Sequence, residues 1–154
     1  GLSGGTLRAA AEQGRYFAGA NGGWSVFWLQ PLEAIYFGIG KAAAYQDASW
    51  NNVGSGRNVF VFTADASLAA PNQIRGWVNG VEIAPSSTGV GTGMTGNFPN
   101  AGLYIGARDD GAGGVERPGD CGVQQVVALG AIPTPAEIVT MSHAAMEMAG
   151  VPRP

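Results

Sequence analysis

The stretch Ile74-Arg75-Gly76-Trp77-Val78-Asn79-Gly80-Val81-Glu82-Ile83 constrains this chain more than any other. Asn-Gly between two β-prone runs favours a two-residue type I′ turn, which needs positive φ at both central residues. A hairpin closed in that way has one register. Val78 faces Val81, Trp77 faces Glu82, and Gly76 faces Ile83. Ile74, Val78, Val81 and Ile83 then share the core face, and Arg75, Trp77 and Glu82 share the other.

Other stretches read the same way. Residues 24–29 (Trp-Ser-Val-Phe-Trp-Leu) are apolar on both pleat faces and stop at Pro31, as in a strand covered on both sides. Residues 35–39, 58–63, 103–108 and 122–129 are further strands, rich in β-branched and aromatic side chains. Glycine accounts for 26 of the 154 residues, against a usual ~7%, and it gathers in the loops 84–102 and 109–119. Residues 1–23 differ from the rest. They are an N-terminal arm or edge strand, with a short helical turn over 6–13 and an extended piece over 15–18. The C-terminus carries one helix with clear end signals. Thr134-Pro135-Ala136-Glu137 is a capping box with proline at the first helical position, and Gly150 followed by Pro152 is a stop. Ile138, Met141, Ala145 and Met148 form the stripe expected to face the core. Short strands without alternating helices indicate an all-β sandwich or barrel. No repeat of 20 to 50 residues points to a propeller or solenoid.

Composition excludes several classes. A chain of 154 residues is one domain. Charged residues are only 12%, yet four Trp, four Tyr and six Phe set the chain apart from disordered sequences. No apolar run is long enough for a transmembrane helix. A net charge of -3 and a pI near 4.9 argue against a nucleic-acid or anionic-membrane partner. Cys121 stands alone, so it is a buried thiol or pairs with another chain. The chain begins at Gly1 without a basic-plus-apolar leader, as if a leader had been removed or the chain were part of something longer.

Catalytic patterns are equally sparse. Retaining glycoside hydrolysis needs two carboxyl groups about 5 to 5.5 Å apart, which alternate residues of one strand supply. The eleven acids are scattered instead, and the adjacent pair Asp109-Asp110 lies in a loop. The one histidine, His143, sits in the helix, with no Gly-x-Ser-x-Gly elbow elsewhere to support a triad. The expectation is a non-enzyme.

Four pieces occur in a fixed order: the aromatic strand ending at Trp28, the hairpin Trp77-Val78-Asn79-Gly80-Val81, the strand Leu103-Tyr104-Ile105-Gly106-Ala107-Arg108, and a Val-rich strand followed by Ile132-Pro133-Thr134-Pro135-Ala136-Glu137-Ile138. In this order the chain resembles the concanavalin A-like lectin/glucanase superfamily, and within it the laminin-G-like domains, over about residues 24–149. The resemblance implies an all-β fold, a two-sheet antiparallel jelly-roll sandwich with one short C-terminal α-helix, in which residues 24–154 form the domain.

The same resemblance implies a non-catalytic domain that binds glycans or a surface polysaccharide, placed outside the cell or on a virion surface. Sugar recognition uses flat aromatic faces and fixed polar groups. Trp50, in a polar stretch beside Asn52, and Trp77, beside Arg75, are the candidate binding residues. The plain alternative for each indole is packing under a loop or a neighbouring strand. Low charge, a single lysine (Lys41) and long glycine-rich loops suit a second reading. In it the chain is a structural subunit of a virion or extracellular assembly, such as a phage head decoration or fibre protein, meeting identical subunits or capsid proteins. Laminin-G-like domains often hold calcium at the sandwich rim. Asp109 and Asp110, with Glu116 and Asp120 near in sequence, are the candidate ligands, because Ca²⁺ takes several loop oxygens. Their plain alternative is a solvated turn balanced by Arg108 or Arg117.

Overall fold

The computed structural model describes residues 6–14, 23–30, 33–41, 44–54, 56–65, 67–69, 72–90, 103–105, 108–109, 115–116 and 122–154. In chain order the strands are β1 (Thr6–Gly14), β2 (Gly23–Gln30), β3 (Ala34–Lys41), β4 (Ala44–Trp50), β5 (Phe60–Ala64), β6 (Ile74–Val78), β7 (Val81–Ile83), β8 (Ser87–Val90), β9 (Leu103–Ile105), β10 (Arg108–Asp109) and β11 (Val115–Glu116). One helix, α1 (Pro135–Ala149), follows. The strands make an antiparallel six-stranded sheet in the order β8-β4-β3-β2-β1-β9, a three-stranded sheet β5-β6-β7 and a small ribbon β10-β11.

The core forms where the two larger sheets face each other. Trp24, Val26 and Trp28 of β2 pair with Ile39, Phe37 and Ile35 of β3, which pair in turn with Gln46, Ala48 and Trp50 of β4. That face packs on Phe60, Phe62, Ala64 and Ile74 of the smaller sheet. Phe37 stacks on Phe62 with ring centroids 4.9 Å apart, and Trp50 meets the same ring at 5.1 Å. The opposite face of the large sheet is covered too, since Ser25, Phe27, Leu29, Ala34 and Tyr36 are all buried. A strand buried on both sides has no polar alternation to display, which is how residues 24–29 read.

The hairpin has the expected register, Val78 with Val81, Trp77 with Glu82 and Gly76 with Ile83. Asn79 and Gly80 take φ of 52° and 81°. Burial does not follow the expected faces, however. Val81 and Ile83 are exposed because β7 is the edge of its sheet, whereas Trp77 on the opposite face is buried.

Four further expectations are corrected, and one strand is added. Residues 6–13 form β1, not a helical turn, and β1 lies between β2 and β9 inside the large sheet. Its Ala-rich sequence favours helix locally, but ladders on both sides outweigh a propensity worth only tenths of a kcal/mol per residue. A bulge between Ala9 and Ala11 adjusts its register. The strand expected over 103–108 is divided between β9 and β10, and these belong to different sheets. Residues 84–90 contain β8, paired with β4, within the stretch read as loop. Residues 44–50 form β4, which the sequence reading passed over. Residues 122–129 form no strand at all. They are β-prone, but a strand exists only where an edge accepts its backbone.

Helix α1 ends as its sequence indicates. Thr134 Oγ1 accepts from Glu137 N–H at 3.3 Å, and Thr134 N–H donates to Glu137 Oε2 at 2.8 Å. Gly150 N–H donates to Glu147 O and Val151 N–H to Met146 O, the paired bonds of a Schellman ending, with Gly150 left-handed at φ 65°. The phase differs from the expected stripe. Ile138, Ser142 and Met146 are buried, while Met141 and Met148 are exposed and Ala145 is half-buried. The helix packs against β5 and reaches the hairpin turn, where Ser142 Cβ comes within 3.6 Å of the place a Cβ on Gly80 would occupy. Among the described residues the Ser142 hydroxyl finds no hydrogen-bond partner. Its small size, not its polarity, suits that close approach.

Candidate recognition surface

Trp50 ends β4 on its inward face, because its partner Ile35 also points into the core. Its indole lies beneath β6. A Cβ on Gly76 would overlap the indole ring, so only glycine lets the two sheets close at this point. The indole Nε1–H donates to Ile83 O at 2.8 Å, and the side chain is 1% exposed. A Trp in a polar stretch has thus found apolar partners across the sandwich. Beyond it the chain turns sharply. Asn51 N–H donates to Ser86 Oγ at 3.1 Å, and Asn52 is left-handed at φ 57° and exposed.

Trp77 lies on the outer face of β6, opposite in sense to Gly76, and is 2% exposed. The Arg75 guanidinium covers it, with its central carbon 5.0 Å from the ring centroid. Arg75 in turn clasps Glu82 of β7 through two 2.7 Å bonds, Nε to Oε1 and Nη2 to Oε2. Those bonds raise the guanidinium above its ordinary range, hydrogen bonding first and charge attraction adding to it. Both partners are 44% exposed, so the pair contributes little stability by itself. It fixes Arg75 over the ring, an arrangement that adds about 0.5–1 kcal/mol at exposed sites.

The two indoles therefore occupy opposite faces of the three-stranded sheet, and neither offers a flat surface to a sugar. The expectation that both indoles are accessible is thereby corrected. Of the four candidate residues, Asn52 and Arg75 are exposed, and Arg75 is engaged by Glu82. Arg75 and Glu82 do line a groove of about 490 Å³, with Asn72, Pro85 and Thr88 across from them. Sequence reasoning missed this groove because its walls come from β6, β7 and β8, and β8 was read as loop.

The calcium candidates lie largely outside the described residues. Asp109 pairs with Val115 and Arg108 with Glu116 in the β10-β11 ribbon, while Asp110, Asp120 and the loop between the strands lie outside the described residues. Cys121 lies outside them as well. Among the described residues no three His, Cys, Asp or Glu side chains gather closely enough to hold a metal ion. No described helix is long and apolar enough to cross a membrane.

A second surface was not foreseen. The segment 122–133 runs without regular structure into the helix cap, and Val127, Leu129 and Ile132 on it are half or more exposed. With Met141 and Ala136 of α1, Leu129 and Ile132 line an open groove of about 750 Å³. Its one carboxylate, Glu137, is held below its ordinary range by the backbone N–H of Thr134 and then by the Thr134 hydroxyl. The signal for this surface was the Val-rich run itself, had it been read as a strand without an edge to join. Comparison with protein-family models, curated proteins and solved structures gives no match to this chain.

Proposed function

We propose that the chain is a non-catalytic attachment domain, a laminin-G-like jelly roll, that serves as a structural subunit of a virion or extracellular assembly and meets identical subunits through the strip beside α1. One observation carries this reading. Leu129, Ile132 and Met141 are exposed and line a groove of about 750 Å³, and Val127 is exposed on the same segment. Contiguous apolar surface on a soluble chain marks contact sites more often than scattered exposed residues do. The low charge content and single lysine support the same reading. The absence of catalysis rests on the scattered acids and on His143, which sits against the hairpin turn with Nε2 3.2 Å from a Cβ built on Gly80. Light scattering across a concentration series tests the proposal. The wild-type chain is expected to run larger than a monomer, and Leu129→Asp with Ile132→Asp to return it to a monomer of unchanged circular dichroism. A wild-type monomer at every concentration would overturn it.

Glycan binding is the second reading. Its support now lies in the groove that Asn72, Arg75, Glu82 and Thr88 line together with Leu68, Ile74 and Ile83. A glycan array that lights up for the wild type and goes dark for Arg75→Ala would favour it over assembly. Calcium at Asp109 and Asp110 belongs to either reading, and calorimetric titration of chelator-treated protein with Ca²⁺ tests it.

A further inference from the structure

Asn79–Gly80 forms the hairpin turn, and the same dipeptide is chemically labile. Glycine after asparagine leaves its own backbone nitrogen unhindered, so that nitrogen can attack the asparagine side-chain carbon. In the fold the side chain is held at both ends. Val59 N–H donates to Asn79 Oδ1 at 2.9 Å, and Asn79 Nδ2 donates to Asn58 Oδ1 at 2.9 Å. The backbone joins in, with Asn79 N–H donating to Val59 O at 2.8 Å. Asn58 is committed in turn. Its Nδ2 donates to the carbonyls of Val53 at 3.2 Å, Gly54 at 3.3 Å and Gly56 at 3.1 Å. Two amides in series thus clamp the turn to the start of β5 and to the loop before it, while His143 of α1 stands against Gly80.

We propose that Asn79–Gly80 is a fold-gated deamidation site, converting to aspartate or isoaspartate when this corner opens and not while the amide is clamped. In the step, the Gly80 nitrogen loses its proton to solvent base and bonds to Asn79 Cγ. The Cγ–Nδ2 bond breaks, and ammonia leaves after taking a proton from water. Water then opens the succinimide at either carbonyl and leaves a carboxylate. One water is consumed, one ammonia is released, and nothing is oxidised or reduced. Attack makes Cγ tetrahedral and turns the amide, which breaks both of its hydrogen bonds; the clamp therefore opposes it. The product does not restore the clamp. An aspartate oxygen would face Asn58 Oδ1, acceptor against acceptor, and flipping the Asn58 amide would take its donors from three carbonyls. Isoaspartate lengthens the backbone inside the turn and breaks the register of β6 with β7. Each opening that ends in conversion is then permanent.

Peptide mass mapping over time in mildly alkaline buffer tests this, with hydrogen exchange of the Val59 amide followed on the same samples. Conversion at Asn79 is expected to be about tenfold or more slower in the folded chain than in urea, because opening must precede it. Asn58→Ala is expected to speed both conversion and Val59 exchange, in proportion. Equal rates in the folded and urea-unfolded chains would overturn the proposal. So would a folded Asn58→Ala chain whose Val59 exchange rises while conversion at Asn79 does not. If Asn58→Ala fails to fold, the wild-type comparison alone decides.

Discussion

The hairpin 74–83 and the segment 122–129 are alike in composition and opposite in outcome. Both mix aliphatic and polar residues, with Ile74, Val78, Val81 and Ile83 in the first and Val123, Val126, Val127 and Leu129 in the second. The first is a paired ribbon laid over Trp50, with its register closed by Asn79 and Gly80. The second has no regular structure and leaves Val127 and Leu129 in solvent. The difference lies in what each run carries within reach. The hairpin holds its own partner two residues away, plus a glycine that admits a buried indole. The segment 122–129 has no turn signal inside it and must find an edge elsewhere. β-Propensity measures fit to a pleated, half-buried surface, so without the surface it specifies nothing.

The comparison breaks most severely at Trp50, which holds the hairpin to the large sheet through Gly76 and Ile83. Trp50→Ala is expected to lower stability by about 4 kcal/mol, as for large aromatic deletions in a core, measured by urea unfolding. An effect below about 1 kcal/mol would mean that the hairpin is not seated on this indole. Gly80→Val attacks the turn itself. Gly80 has φ of 81°, and His143 Nε2 would lie 3.2 Å from a new Cβ. A cost of about 2 kcal/mol is expected from a β-branched residue forced to positive φ.

Thr134→Ala probes the junction where the unpaired segment becomes helix, and about 1 kcal/mol is expected at neutral pH. This cap also gives the comparison a pH signature. Thr134 holds the Glu137 carboxyl below its ordinary 4.5. A group with a depressed folded pKa adds stability above its unfolded pKa, and that stability is lost as pH falls through the folded value. The difference in melting midpoint between wild type and Thr134→Ala is therefore expected to narrow as pH drops below about 4.5. A gap independent of pH would remove the Glu137 contribution. The smallest effect is expected at Val127, which is 63% exposed. Val127→Ser is expected to change monomer stability by no more than about 0.5 kcal/mol. A larger loss would show that 122–129 is held within its own chain after all.

Much of the fold was legible because some rules act over a few residues. The strands near 24–29, 35–39 and 58–63 and the caps of α1 all stand close to where the sequence places them. β4 was missed because Gln46, Asp47 and Ser49 interrupt its apolar pattern, yet Gln46 and Ser49 are buried. β8 was missed because Ser-Thr-Gly-Val reads as loop. It pairs there because the Asp47 carboxylate accepts the Gly89 N–H at 2.9 Å, in a contact that a Cβ on residue 89 would obstruct. The binding residues fared worse. The sequence offers Trp50 and Trp77 as accessible, yet Trp50 is buried across the sandwich and Trp77 is buried with Arg75 over its ring.

By itself, the sequence determined the hairpin register, the ends of the helix and the β character of the chain. Each of these depends on backbone dihedrals and hydrogen bonds between residues close in sequence. Tertiary structure alone decided that 6–14 is a strand between two others, that Ser142 and not Met141 faces inward, that both indoles are buried and that 122–129 stays unpaired. Those outcomes depend on which surface arrives from elsewhere in the chain. Burial and strand pairing are relations between distant residues, and no local pattern contains the second partner.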